Sequence, residues 1–153
     1  MKRLLIVAHT PSPNTQRLLA AILAGARNPD AGDIEVMHKP ALDAGPDDIR
    51  ACDAILLFTT ENLGYMSGAL KDFFDRSYYP VLEEKQGLPC AIVIRAGHDG
   101  TGTKRALETI LTGLRWKMVQ EPLVLRGEWR EEFLAPAEEL GLYMAAGLDA
   151  GIL

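Results

Sequence analysis

Cysteine and histidine are scarce in this chain, and aromatic residues make up 7% of it. The two cysteines, Cys52 and Cys90, lie far apart and form neither a disulfide framework nor a Cys-x-x-Cys pair. Cys90 sits inside an apolar run and Cys52 just before another, so both are expected to fill the core. His9, His38 and His98 have no metal-ligand spacing among themselves or with the cysteines, which argues against a zinc site. No basic run is longer than Lys2-Arg3 or Lys104-Arg105, and the formal net charge is −5, a poor match to nucleic acid. No apolar run approaches the roughly 18 residues that span a bilayer. The start, Met1 to Val7, resembles a signal peptide briefly, but His9, Pro11 and Asn14 interrupt it before any small-residue cleavage site. A cytoplasmic protein with no membrane or nucleic-acid partner is the expectation.

What remains has globular proportions: 153 residues, 48% hydrophobic and 24% charged, which predicts one domain over 1–153. Short apolar runs alternate with segments of helical period. Leu4 to Ala8, Ala54 to Phe58 and Cys90 to Ile94 are nearly continuous apolar runs, as strands covered on both faces require. Ile34 to His38 alternates like an edge strand, and Met118 to Leu125 is a weaker fifth strand interrupted by Glu121-Pro122. Ser12-Pro13 reads as a helix cap followed by proline in the first turn, with Leu18, Leu19, Ile22, Leu23 and Ala26 on one face. A short helix is predicted at Pro46–Ile49, and longer ones at Ser67–Tyr78, Thr103–Arg115 and Phe133–Leu148. Five strands alternating with helices predict a parallel sheet covered on both faces, because right-handed crossovers place the helices there. Ligands of such sheets sit beyond the carboxyl ends of the strands. The informative loops therefore follow Ala8, Phe58 and Arg95.

The first loop, His9 to Gln16, carries short hydroxyl and amide side chains into a helix N-terminus, where free N–H groups favour an anion. It has no lysine and neither glycine-rich nucleotide fingerprint, so it suits one terminal phosphate better than a triphosphate. A plain turn with a Ser-Pro cap accounts for part of the same pattern. In the second loop, Thr59 to Met66, Leu63, Tyr65 and Met66 are apolar where a loop should be polar, which a flat aromatic ligand or packing under a neighbour would explain. Gly64 to Gly68 is not a Gly-x-Ser-x-Gly elbow, against a hydrolase. The third loop, Arg95 to Thr103, has three glycines that let backbone approach a ligand closely. His98 and Asp99 are adjacent there, and sequence neighbours seldom form a dyad. Ala8-His9-Thr10 lacks the carboxylate cluster of a response-regulator receiver. The three loops together describe a mononucleotide with one phosphate and one flat ring.

The stretch Thr60-Glu61-Asn62-Leu63-Gly64-Tyr65-Met66-Ser67-Gly68-Ala69-Leu70-Lys71-Asp72-Phe73-Phe74-Asp75-Arg76 resembles the second flavin loop and following helix of the flavodoxin-like superfamily, close to its small FMN-binding NAD(P)H-dependent reductases. The resemblance implies a three-layer α/β sandwich with a five-stranded parallel sheet of order 2-1-3-4-5. It implies that Thr10, Ser12, Asn14 and Thr15, with Gln16 adjoining, bind the FMN phosphate. Thr60, Glu61, Asn62, Leu63, Gly64 and Tyr65 would line the isoalloxazine, and Gly97, His98, Asp99 and Gly100 would close over the pyrimidine edge and ribityl chain. Thr60 and Leu63 stand where related members often have proline and an aromatic residue. The implied activity is hydride transfer from NAD(P)H through FMN to a quinone, flavin or similar acceptor, with no catalytic side chain required. The alternatives are an electron carrier serving a redox protein, and a flavin-free domain of the same architecture. Reductases of this kind often form homodimers over the flavin. Tyr78, Tyr79, Pro80, Trp116 and Trp129 are interface candidates, though such aromatics equally suit packing within one chain.

Overall fold

The computed structural model describes all 153 residues. Its centre is the set of apolar runs. β1 (Arg3–Ala8), β3 (Ala54–Asn62) and β5 (Pro89–Ala96) lie side by side and parallel, with Ala8 opposite Phe58 and Thr60 opposite Arg95. Leu4 to Val7, Ile55 to Phe58 and Cys90 to Ile94 are fully buried, because helices cover both faces of these strands. β2 (Glu35–Pro40) is the half-exposed edge beside β1, in keeping with its alternating sequence.

Side chains alternate between two cores. α1 (Pro13–Ala26) and α5 (Leu134–Ala150) cover the face that carries Leu4, Ile6, Leu56, Phe58 and Val93. On the opposite face, α3 (Gly68–Val81), α4 (Thr101–Leu114) and the short α2 (Pro46–Ala51) enclose Leu5, Val7, Ile55, Leu57 and Ile92. Trp116 is buried in this second core, where it faces Phe74 at 6.3 Å between ring centroids. Among the aromatic interface candidates, Tyr79 is the one left largely exposed.

The expected five-stranded sheet is corrected to seven strands, for two local reasons. First, the end of β3 folds back on a two-residue strand, β4 (Tyr65–Met66), which pairs antiparallel with Glu61 and Asn62. Second, the fifth strand is broken. β6 (Lys117–Met118) pairs parallel with the start of β5 and β7 (Leu123–Arg126) with its end. Cys90 faces Met118 and Val93 faces Leu123, so residues 119–122 lie opposite residues 91–92 and the surplus must loop out. Pro122, which has no N–H to give the ladder, lies within that bulge. The path through the sheet is β2-β1-β3-β5-β6, with β7 also alongside β5. No helix is long and apolar enough to cross a membrane.

Candidate functional site

The loops after β1, β3 and β5 emerge at the same end of the sheet, because the three strands are parallel neighbours. The first is tied to the second strand where His9 N–H donates to the Phe58 carbonyl at 3.0 Å. Ser12 caps α1. Its hydroxyl accepts from Thr15 N–H, and the Thr15 hydroxyl accepts from Ser12 N–H at 3.0 Å while donating to the Ser12 carbonyl at 2.9 Å. The two hydroxyls also meet at 2.9 Å. With the Thr15 proton on the carbonyl, Ser12 is the donor in that contact, so both hydroxyl protons are spent inside the cap. Thr15 is buried as well. The side chains of Thr10, Asn14 and Gln16 make no such internal bonds and remain free to meet a ligand, together with the first-turn N–H of Asn14.

The second loop is a tight hairpin. Asn62 pairs with Tyr65, and both residues between them have positive φ, 54° at Leu63 and 77° at Gly64, as a type I′ turn requires. Glycine accepts that backbone freely; leucine does so under strain. Leu63 is fully exposed and Tyr65 is 40% exposed, so the tip presents two apolar side chains to solvent. Beneath it, the Thr60 hydroxyl donates to Asn62 Oδ1 at 2.8 Å. The buried Thr59 hydroxyl accepts from Ser67 N–H at 3.0 Å, and the Ser67 hydroxyl in turn caps α3 by accepting from Leu70 N–H. Thr59 and Ser67 thus fix the base of the hairpin, a role absent from the predicted set.

Glu61 reaches from the hairpin to the third loop. Its carboxylate accepts from His98 N–H at 3.0 Å and from Gly100 N–H at 2.8 Å. Gly102 lies so close to the Gly64 carbonyl that an added Cβ would stand 2.1 Å from that oxygen, so the two loops touch through backbone. His98 and Asp99 are exposed. Asp99 turns its carboxylate to Thr101 N–H, at 3.0 Å, at the start of α4. That bond and the neighbouring Arg126 guanidinium hold its carboxyl pKa below the usual aspartate range.

Beside the third loop stands a group of arginines and aromatic rings that the sequence reading missed. Arg126 Nε donates to the Asp99 carbonyl at 2.6 Å. Arg95 lies 5.0 Å over the Phe133 ring and 5.9 Å over Trp129. Arg17, in α1, stacks on Trp129 at 5.6 Å and forks onto Glu131 through two bonds of 2.8 and 2.6 Å. This clasp holds the segment before α5 against α1. The cysteines take no part: both are buried, and burial pushes their thiols up to about 12. A cavity of about 530 Å³ lies elsewhere, between the bulge at Glu121-Pro122 and Tyr143 of α5.

Comparison with known proteins gives a consistent answer. A family model described as NADPH-dependent FMN reductase matches residues 28–131, which includes the second and third loops and leaves the first outside. A flavodoxin of Aquifex aeolicus is 25% identical over 114 residues, 74% of this chain and 60% of that protein, so the match spans under two thirds of that relative. Among solved structures, a flavodoxin described as WrbA-like from Agrobacterium tumefaciens superposes with a TM-score of 0.77 at 18% identity, covering 100% of both chains. A flavodoxin from the domain Archaea reaches 0.75 at 19% identity, covering 97% of this chain and 99% of its own. At such identities the structural likeness speaks for the fold. The family match rests on sequence and takes in about two thirds of the chain. The chain belongs to the NADPH-dependent FMN reductase family, built on a flavodoxin-like parallel α/β fold.

Proposed function

We propose that the protein binds FMN across the three loops and uses it to take hydride from NAD(P)H and pass electrons to a small-molecule acceptor such as a quinone or free flavin. The observation that carries this reading is the hairpin tip: a strained, fully exposed leucine beside a half-exposed tyrosine, at the carboxyl end of the central strands. The residues present fit the cofactor. Thr10, Asn14 and Gln16 offer neutral donors at the start of α1 for one phosphate, and Leu63 and Tyr65 offer apolar surface for a ring. When bound, FMN supplies the hydride chemistry itself. The chain binds and orients: the Ser12–Thr15 cap shapes the first loop, Thr59 and Ser67 hold the hairpin, and backbone groups of Asn62, Leu63 and Gly64 would face the ring. No acid–base side chain is assigned.

The flavodoxin of Aquifex aeolicus favours a second reading, an electron carrier that serves a redox protein. One experiment separates the two. An anaerobic visible spectrum of the FMN-reconstituted protein should show a bound-flavin band that bleaches on adding NADPH. A band that persists with NADPH and NADH but yields to dithionite assigns the carrier. Retention of no flavin overturns both. A homodimer over the flavin belongs to the same proposal; equilibrium sedimentation with and without FMN tests it.

A further inference from the structure

The third loop contains two glycines in the four residues from Gly97 to Gly100, and no ladder hydrogen bond fixes it. Its central peptide, linking Asp99 to Gly100, is nevertheless gripped at both polar ends. The Gly100 N–H donates to Glu61 at 2.8 Å, and the Asp99 carbonyl of the same unit accepts from Arg126 Nε at 2.6 Å. Glu61 holds a second peptide through His98 N–H at 3.0 Å. A full negative charge on the N–H and a full positive charge on the carbonyl both oppose rotation of that plane, and charge-assisted bonds are about twice as strong as neutral ones. The two side chains come from different elements, the end of β3 and the end of β7. The orientation of one loop peptide is thereby set by two independent parts of the sheet.

Resting on the FMN reading above, we propose that Glu61 and Arg126 are positioning residues that splint the third loop from opposite edges and so hold it in place for the flavin ring. The remaining N–H of Asp99 is not used within the protein and stays available to a ligand. Because the two residues carry opposite charges, they act oppositely on a ring that gains negative charge on reduction.

The test uses Glu61→Ala, Glu61→Gln and Arg126→Ala, with FMN affinity measured by fluorescence titration in the oxidised and reduced states. Glu61→Ala and Arg126→Ala each weaken oxidised FMN about tenfold, the loss of one charged hydrogen-bond set; Glu61→Gln, which keeps one acceptor, weakens it about threefold. The ratio of reduced to oxidised affinity rises in both Glu61 variants and falls in Arg126→Ala. A merely structural role would leave the two ratios unchanged or move them together. Without FMN, amide exchange at His98 and Gly100 should quicken in Glu61→Ala, and at Gly100 in Arg126→Ala. Unchanged amide protection, or ratios that move in one direction, overturns the proposal. If the unmodified protein binds no FMN, the functional reading fails, and the amide exchange alone decides whether the splint exists.

Discussion

Leu63 is held in two unfavourable states at once, a left-handed backbone and full exposure of an apolar side chain. The backbone term alone costs an L-residue about 1–2 kcal/mol, and a type I′ turn prefers Asn-Gly where this chain has Leu-Gly. Leu63→Asn should therefore raise the stability of the flavin-free protein by about 1 kcal/mol, seen as a higher urea midpoint. The same change removes apolar surface from the tip, so FMN binding should weaken about threefold in a fluorescence titration. Equal or lower stability in that variant would mean the turn is not strained. Ser12 and Thr15 teach a related lesson. The sequence presents them as phosphate contacts, yet Ser-x-x-Thr is also a capping box, and the structure spends both hydroxyls there. Local pattern admits both uses, and only the direction of each proton separates them. Glu61 was legible as part of the second loop, but its grip on His98 and Gly100 joins residues more than 35 positions apart that no spacing rule connects. Arg126 carried no signal, because its partner is a backbone carbonyl.

The helices and strands were easier to read where burial is symmetric. β1, β3 and β5 appear as apolar runs because both faces are covered, and α1 begins at the predicted Pro13 under its Ser12 cap. The break in the fifth strand was marked by Glu121-Pro122, but the mismatch of register with β5 belongs to the pair of strands and is invisible in either alone. β4 escaped prediction because two residues offer no period. The crossing of α1 and α5 was equally hidden, although its glycines stand in plain view. A Cβ on Gly25 would sit 1.9 Å from the Glu138 carbonyl oxygen, and one on Gly141 would sit 2.1 Å from that of Ile22. Each helix therefore leaves a side chain out so that the other's backbone can approach. The obstacle is backbone on both sides, which cannot step away as a flexible side chain would. Gly25→Ala or Gly141→Ala should each cost about 3 kcal/mol through forced separation of the helices, outweighing the better helix propensity of alanine. A thermal melt at neutral pH measures this, and a variant at least as stable as the parent would show that the crossing is loose.

Across the whole molecule, the groups whose protonation is shifted by folding and that titrate below neutrality all push stability in one direction. Burial on the β2 edge, with Arg27 nearby, holds the His38 imidazole below the usual histidine range. Hydrogen bonds from Arg17 and Trp129 hold the Glu131 carboxyl below the usual range, and the Thr101 N–H does the same for Asp99. In each case the folded state binds its proton less readily than the unfolded chain, so acid is taken up preferentially on unfolding. The contribution of His38 is complete above its ordinary pKa of about 6.5 and is lost as pH falls through its lower folded value. The carboxylates follow at lower pH, where their contribution, complete above about 4, is lost in turn. Stability should therefore decline in two stages on acidification, the first from an edge strand and the second from the end of the sheet that carries the loops. His38→Gln should remove the first stage and leave the second, because Glu131 and Asp99 draw their partners from other elements. Urea midpoints collected between pH 8 and pH 3 for both proteins measure the effect. A decline between pH 7 and pH 5 that survives His38→Gln would place the first acid-sensitive contact elsewhere. One that vanishes would assign it to the imidazole packed beside β1.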